Sequence, residues 1–315
     1  MRIISIDYMR AICMLYIVAY WHLFNYTDYF PQYNNKLTYN LTLTILGLFI
    51  FISGFLQNKD EKSNFYKRKF FRIYPLYLFT IVMFAITSVE DLYVLLKSAF
   101  LVSLVFGPSP LTLWFITVIL VLYLITPQLQ KSLENPTNYI ASCLLFMAFL
   151  VGVYLVLKIT ALGLLDTRLI LYFPCYALGL FCSCHGLNSK FINIKSLSII
   201  ALIGIIINEI EFSYTFLERI KQIPLVMSLS YLSFTLFYVN EKILKKTALI
   251  SYLSFSSYSM YLLHRPIFIV FKKIYFPTQG PYQILYLYLV CFTTIMLVSG
   301  FVQKLHDKSL KKYLN

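Results

Sequence analysis

Ten apolar runs of spanning length recur along the 315-residue chain, at 4–25, 38–57, 71–88, 111–127, 138–157, 168–184, 192–208, 223–240, 248–271 and 283–303. Each is close to the ~20 residues that a bilayer requires of a helix. A soluble domain cannot carry so many. The repetition predicts an all-α, polytopic integral membrane helical bundle, a single transmembrane domain over 1–315 with short loops. Hydrophobic residues make up 59% of the chain and charged residues 13%, far from soluble composition. The formal net charge of +14 raises nucleic acid as a partner, but the Lys and Arg sit in short loops between the apolar runs. That placement reads as topology and contact with anionic membrane lipids, with no nucleic acid.

An eleventh segment, 92–106, is shorter, contains Lys97, and is closed by Gly107, Pro108 and Pro110. The positive-inside rule chooses between the two topologies. Ten spans with an inside N-terminus put seventeen basic residues inside against eight outside; a spanning 92–106 makes that thirteen against eleven. Ten spans are therefore expected, with both termini cytoplasmic and 92–106 lying at the outer side or re-entrant. The first run contains Asp7 and Arg10 and no small-residue cleavage site follows it, so it reads as a retained span. The six cysteines form no paired framework, and the CSCH at Cys182–His185 lacks zinc-ligand spacing, so no metal is expected. Abundant Ile, Phe, Tyr, Asn and Lys with little Gly and Ala fit an AT-rich bacterial genome.

Ionisable groups inside spans cost roughly 2.5–3.5 kcal/mol each on insertion scales and mark function by default. The first span holds three: Asp7, Arg10 and His22. Asp7 and Arg10 are three apart and share a helix face, and Arg10 to His22 is about 18 Å of helical rise. Two readings stand: a polar track through the membrane, or an interfacial ion pair that snorkels with a histidine in the far headgroup layer. Past the second span comes the most basic stretch of the chain, QNKDEKSNFYKRKFFRIYPLYL, where Arg68 and Arg72 are one turn apart with Lys69 beside them. Arginine forks there suit a polyanion, or lipid headgroups. In the ninth span, SYLSFSSYSMYLLHRPIFIV, His264 stands about 24 Å up and His22 about 27 Å up its own helix. The two imidazoles thus reach similar depth. With an ordinary pKa near about 6.5, imidazole suits a general base for an alcohol. Arg265 adjoins His264, and Pro266 frees a backbone carbonyl one turn earlier. Asp166, Arg168, Asn208, Glu209, Glu211, Glu218 and Arg219 fall at outer ends, as solvated loop charges or as contacts to a substrate.

Four segments together resemble the membrane acyltransferase 3 family: IDYMRAICMLYIVAYWH, YKRKFFRIYPLY, LWFITVILVLYLITP and SYSMYLLHRPI. They stand in the family's order and at similar spacing over nearly the whole chain. The resemblance implies an acyl-CoA-dependent acyltransferase, an O-acetyltransferase by default, moving an acyl group from cytoplasmic acetyl-CoA or another acyl-CoA to a hydroxyl of a cell-surface glycan or lipid-linked saccharide. Carried over by position, His22 is its catalytic histidine, Arg10 an essential charge, and Arg68 with Arg72 the acyl-CoA phosphate contacts. Ile119 and Leu120 follow Trp114 where many relatives are acidic. The chain therefore looks more like the shorter polysaccharide-modifying branch that includes intercellular-adhesin and enterobacterial-antigen acyltransferases, in the cell membrane.

Joined to the residue reading, the expectation is that Arg68, Lys69 and Arg72 hold CoA phosphates while the pantetheine arm reaches towards His22. His22 removes the acceptor's proton or carries the acyl group itself; Asp7 and Arg10 steady the arm, and His264 orients the acceptor. The rival from another class is a glycan exporter or flippase whose buried charges line a path, although the internal repeat expected of one is not apparent. A structural membrane scaffold is the third reading, disfavoured by the intramembrane charges.

Overall fold

A computed structural model describes residues 3–57, 65–107, 109–160, 163, 165–190 and 192–314. Arg2, Lys59, Lys62 and Pro108, and the side chain of Lys312, which entered the topology argument, lie outside the described residues. Among the described residues there is no strand. The helices are α1 (Ile4–His22), α2 (Lys36–Phe55), α3 (Phe65–Thr87), α4 (Leu92–Ala99), α5 (Trp114–Ser132), α6 (Pro136–Thr160), α7 (Thr167–His185), α8 (Ile194–Ile207), α9 (Thr215–Val239), α10 (Ala248–Ile274) and α11 (Gly280–Lys311).

Every one of the ten apolar runs has become a helix, and eight of them are long and apolar enough to cross a membrane. The two that fall short do so for different reasons. α8 has only 14 residues, about 21 Å of rise against a ~30 Å hydrocarbon core. α10 has 27, ample length, but five serines and the His264–Arg265 pair dilute its apolar character. The fold is a polytopic membrane bundle, all-helical throughout the described chain.

Contacts at the two ends tie the helices into alternating directions. At the end where α1 begins, the Ile4 amide donates to Glu241 Oε1 at 2.8 Å and the Tyr8 hydroxyl to the Lys245 carbonyl at 2.7 Å. At the other end, Lys36 pairs with Glu209 at 2.7 Å, Lys272 donates to the Tyr26 carbonyl at 2.8 Å and Lys273 to the Thr87 carbonyl at 3.0 Å. These are caps over the bundle's rims, where lysines serve carbonyls that the helix ends leave over.

α2 and α7 form the centre. Gly54 lies against the Tyr176 carbonyl and Gly179 against that of Phe51, so a Cβ at either would collide with the facing backbone. Reciprocal small residues one turn from the facing contact let two backbones touch, which is how helices gain packing energy where lipid removes the hydrophobic drive. α7 is the most buried of the spans; α6, at the periphery, is the least buried and the most apolar. Lipid rather than protein surrounds most of α6, which explains the inversion.

The segment 92–106 does not span. α4 has 8 residues, about 12 Å. It enters from the rim beyond Thr87 and its C-terminal carbonyls meet the middle of α3, Tyr77 donating to Ser98 at 3.0 Å and Tyr74 to Ala99 at 2.6 Å. Lys97 then holds the returning chain through the Phe106 and Gly107 carbonyls at 2.7 and 3.0 Å. Of the outer-side and re-entrant alternatives, this is the re-entrant one.

Candidate active site

α1 changes pitch along its length: it is α-helical from Ile4 to Met14 and π-helical from Leu15 to His22. The change moves a side chain. At 3.6 residues per turn, the twelve residues from Arg10 to His22 leave the two about 120° apart around the axis. The wider turns of a π segment rotate less per residue and bring His22 back towards the face that carries Arg10. That face packs on α10, and at its start the buried Asp7 accepts a hydrogen bond from Ser254 Oγ at 2.6 Å.

At the far end of the same contact, His22 meets His264. The two rings stack with centroids 4.6 Å apart and planes 5° from parallel. His264 is wholly buried and its Nδ1 lies 2.7 Å from the Tyr261 carbonyl, an acceptor only, so Nδ1 carries a proton. The carbonyl used is that of Tyr261, one residue before the one Pro266 releases. His22 Nδ1 is buried and has no hydrogen-bond partner among the described residues.

Two cavities flank this axis. The larger, about 370 Å³, reaches from Lys69, Arg72, Gln57 and Gln303 near the end where α1 begins, past Arg10 and Ser254, to Tyr261. Among the described residues, three cations and no carboxylate line it. The smaller, about 220 Å³, holds His22, Arg168, Arg265, Thr112 and both tryptophans of the chain, Trp21 and Trp114. Tyr261 borders both, with its ring 5.1 Å from that of Phe115 and its hydroxyl donating to the Thr112 carbonyl at 3.0 Å. A single aromatic side chain therefore belongs to the walls of a cationic chamber and of a histidine chamber.

Arg168 frames the second chamber. Its Nε donates to Asp166 Oδ1 at 2.8 Å and its guanidinium lies 4.1 Å over the Trp114 ring, whose stacked neighbour is Tyr172. Burial by itself pushes the Asp166 carboxyl up, but the side-chain hydrogen bonds, charge and backbone N–H of Arg168 offset this and hold it below its ordinary value.

A family model described as an acyltransferase domain matches residues 3–302. The chain belongs to the acyltransferase 3 family. It is a membrane acyltransferase. Searches of curated proteins and of solved structures gave no match.

The geometry sorts the residues that sequence singled out in this acyltransferase. Asp7, Arg10, His22 and His264 fall along one α1–α10 contact, and Lys69 and Arg72 line the larger chamber. Arg68, one turn before Arg72, is not among the side chains lining it. Lys69 lies 5.4 Å from the centre of the Tyr123 ring. Of the outer-end charges, Glu209 pairs with Lys36 and Glu218 with Lys221, Arg219 donates to the Tyr39 hydroxyl, and Arg168 alone lines the histidine chamber. Sequence reasoning gave no role to Tyr261 or Trp21. Both carried a signal, since Tyr261 stands one turn before His264 and Trp21 is the neighbour of His22.

Proposed function

We propose that this acyltransferase moves an acyl group, acetyl by default, from acyl-CoA to a hydroxyl of a cell-envelope glycan or lipid-linked saccharide, across the plasma membrane of a bacterium. The CoA phosphates bind among Arg10, Lys69 and Arg72 at the cytoplasmic end, with Arg68 adding charge at the mouth, and the pantetheine arm runs towards Tyr261. The acceptor enters from the opposite side. His22 takes the proton from the acceptor hydroxyl, the oxygen attacks the thioester carbonyl, and the carbon–sulfur bond breaks to release CoA thiolate. His264 holds the His22 ring by stacking and is itself held by the Tyr261 carbonyl. The polysaccharide-modifying branch of the family fits this reading.

One observation carries it. A chamber lined by Arg10, Lys69 and Arg72 and a histidine chamber share the wall residue Tyr261, in a chain of the acyltransferase 3 family. The cationic chamber's volume is at the lower end of the ~300–1,000 Å³ typical of ligand sites.

The test is transfer from labelled acetyl-CoA to glycan by the purified chain in proteoliposomes. His22→Ala is expected to lower transfer about 10²- to 10⁴-fold, the range of a lost general base, while acyl-CoA binding persists. Undiminished transfer removes His22 from the mechanism, and an absence of transfer by the unaltered chain to any acceptor rejects the reading.

A further inference from the structure

The histidine chamber contains a charge that no carboxylate among the described residues neutralises. Two guanidiniums, Arg168 and Arg265, line it, and among the described residues no Asp or Glu does. Arg168 is paired with Asp166. Arg265 has no ion pair with a carboxylate among the described residues, and its Nε is buried without a hydrogen-bond partner. Its polar neighbours include the hydroxyls of Tyr26 and Tyr261 and the two imidazoles, none of which brings a negative charge. Arg265 is half-buried, and a cation set in a cavity without a counter-ion still loses part of its hydration, so a protein that keeps one there has it matched by what enters.

We infer that the acceptor is anionic, and that Arg265 determines this specificity by taking a carboxylate or phosphate group of the sugar. The inference rests on the acyl-transfer reading above for the word acceptor, and adds to it the chemical class of that acceptor. A guanidinium fork matches both groups in two parallel hydrogen bonds. The donor does not supply the anion. Its phosphates have the separate chamber of Arg10, Lys69 and Arg72 on the other side of Tyr261. About 220 Å³ is below the drug-sized range, enough for one sugar residue and its charged substituent rather than an oligosaccharide. Trp21 and Trp114 stand in the same wall, and an indole face suits the C–H face of a pyranose.

Because both tryptophans of the chain line this chamber, their fluorescence reports its occupancy directly. The experiment titrates the purified full-length chain in detergent, without acyl-CoA, with glucuronate and separately with glucose, exciting tryptophan selectively. Glucuronate is expected to change the emission saturably, at about tenfold lower concentration than glucose or less. Arg265→Gln is expected to raise the half-saturating glucuronate concentration about ten- to a hundredfold, the range for losing a hydrogen bond to a charged group, and to leave the glucose titration in place. Arg265→Lys, which keeps the charge but not the fork, falls between. No response to glucuronate, equal response to both sugars, or an Arg265→Gln titration that coincides with the unaltered chain's overturns the proposal. If neither variant folds, the comparison of the two sugars on the unaltered chain still decides. Since no donor is present, the readout stands whether or not acyl transfer is observed, and a failure of one reading is not a failure of the other.

Discussion

His22 and His264 stack face to face, 4.6 Å between ring centres and 5° from parallel, although 242 positions separate them in the chain. The second ring is fixed by its own helix through the Tyr261 carbonyl, 2.7 Å away, so α10 sets the plane in which His22 lies. His264 is on this account a positioning residue. His264→Phe, which keeps a ring to stack on, is expected to retain more transfer activity than His264→Ala, with the loss in kcat and acyl-CoA KM unchanged. Equal losses for both variants would show that His264 acts through its nitrogen.

Tyr261 separates the two chambers and is braced by Phe115 and by its bond to the Thr112 carbonyl at 3.0 Å. In the proposed acyl transfer, the thioester carbonyl passes this ring to meet an acceptor beside His22. Tyr261→Trp is expected to lower transfer by about tenfold or more with acyl-CoA binding intact, as misplacement of reacting groups does. Tyr261→Ala joins the chambers and admits water, so it should release free CoA thiol in the absence of acceptor. Thiol release no faster than in the unaltered chain would mean the ring is no barrier.

Asp7 is buried and accepts the Ser254 hydroxyl at 2.6 Å, tying α1 to α10 one turn before Arg10. Ser254→Ala takes a donor from a buried carboxylate, a change that costs about 1–3 kcal/mol. Thermal melting in detergent should move down by several degrees, and Ser254→Thr, which keeps the hydroxyl, should recover part of the shift. A melting curve unmoved by Ser254→Ala would reduce the bond to packing.

At the opposite rim, the Asp166 carboxyl is held below its ordinary value chiefly by the hydrogen bonds and charge of Arg168, against the upward push of burial. A carboxyl with a depressed folded pKa binds fewer protons folded than unfolded. Its contribution to stability is complete above the ordinary carboxylate range and is lost as pH falls through the lower, folded value. Melting temperature should therefore fall with acid in this window, and less so in Asp166→Asn, where the titrating group is gone. Parallel pH profiles for the two chains would contradict the assignment.

The ten apolar runs were legible as helices because hydropathy and length are local: each run of apolar residues must satisfy its backbone within itself once it enters lipid. The re-entrant course of 92–106 was half legible, since charge counting argued against a span while only Tyr74 and Tyr77 show where α4 ends. Asp7, Arg10, His22 and His264 stood out as ionisable groups too costly to leave in hydrocarbon without a purpose. Nothing local marked Arg168 as different from the other rim charges, because its part depends on Asp166, two residues away, and on Trp114, in another helix.

By itself, then, the sequence determined that the ten apolar runs are helices and at what height along each the unusual side chains stand, since rise per residue is nearly constant. Tertiary structure decided direction around the axis. A twelve-residue α-helical step would turn His22 away from the face of Arg10, and the π segment Leu15–His22, packed against α10 and α11, turns it back to meet His264. The rotation and the choice of neighbour come from packing among helices, and no pattern of apolar residues along one helix encodes which face will find which partner.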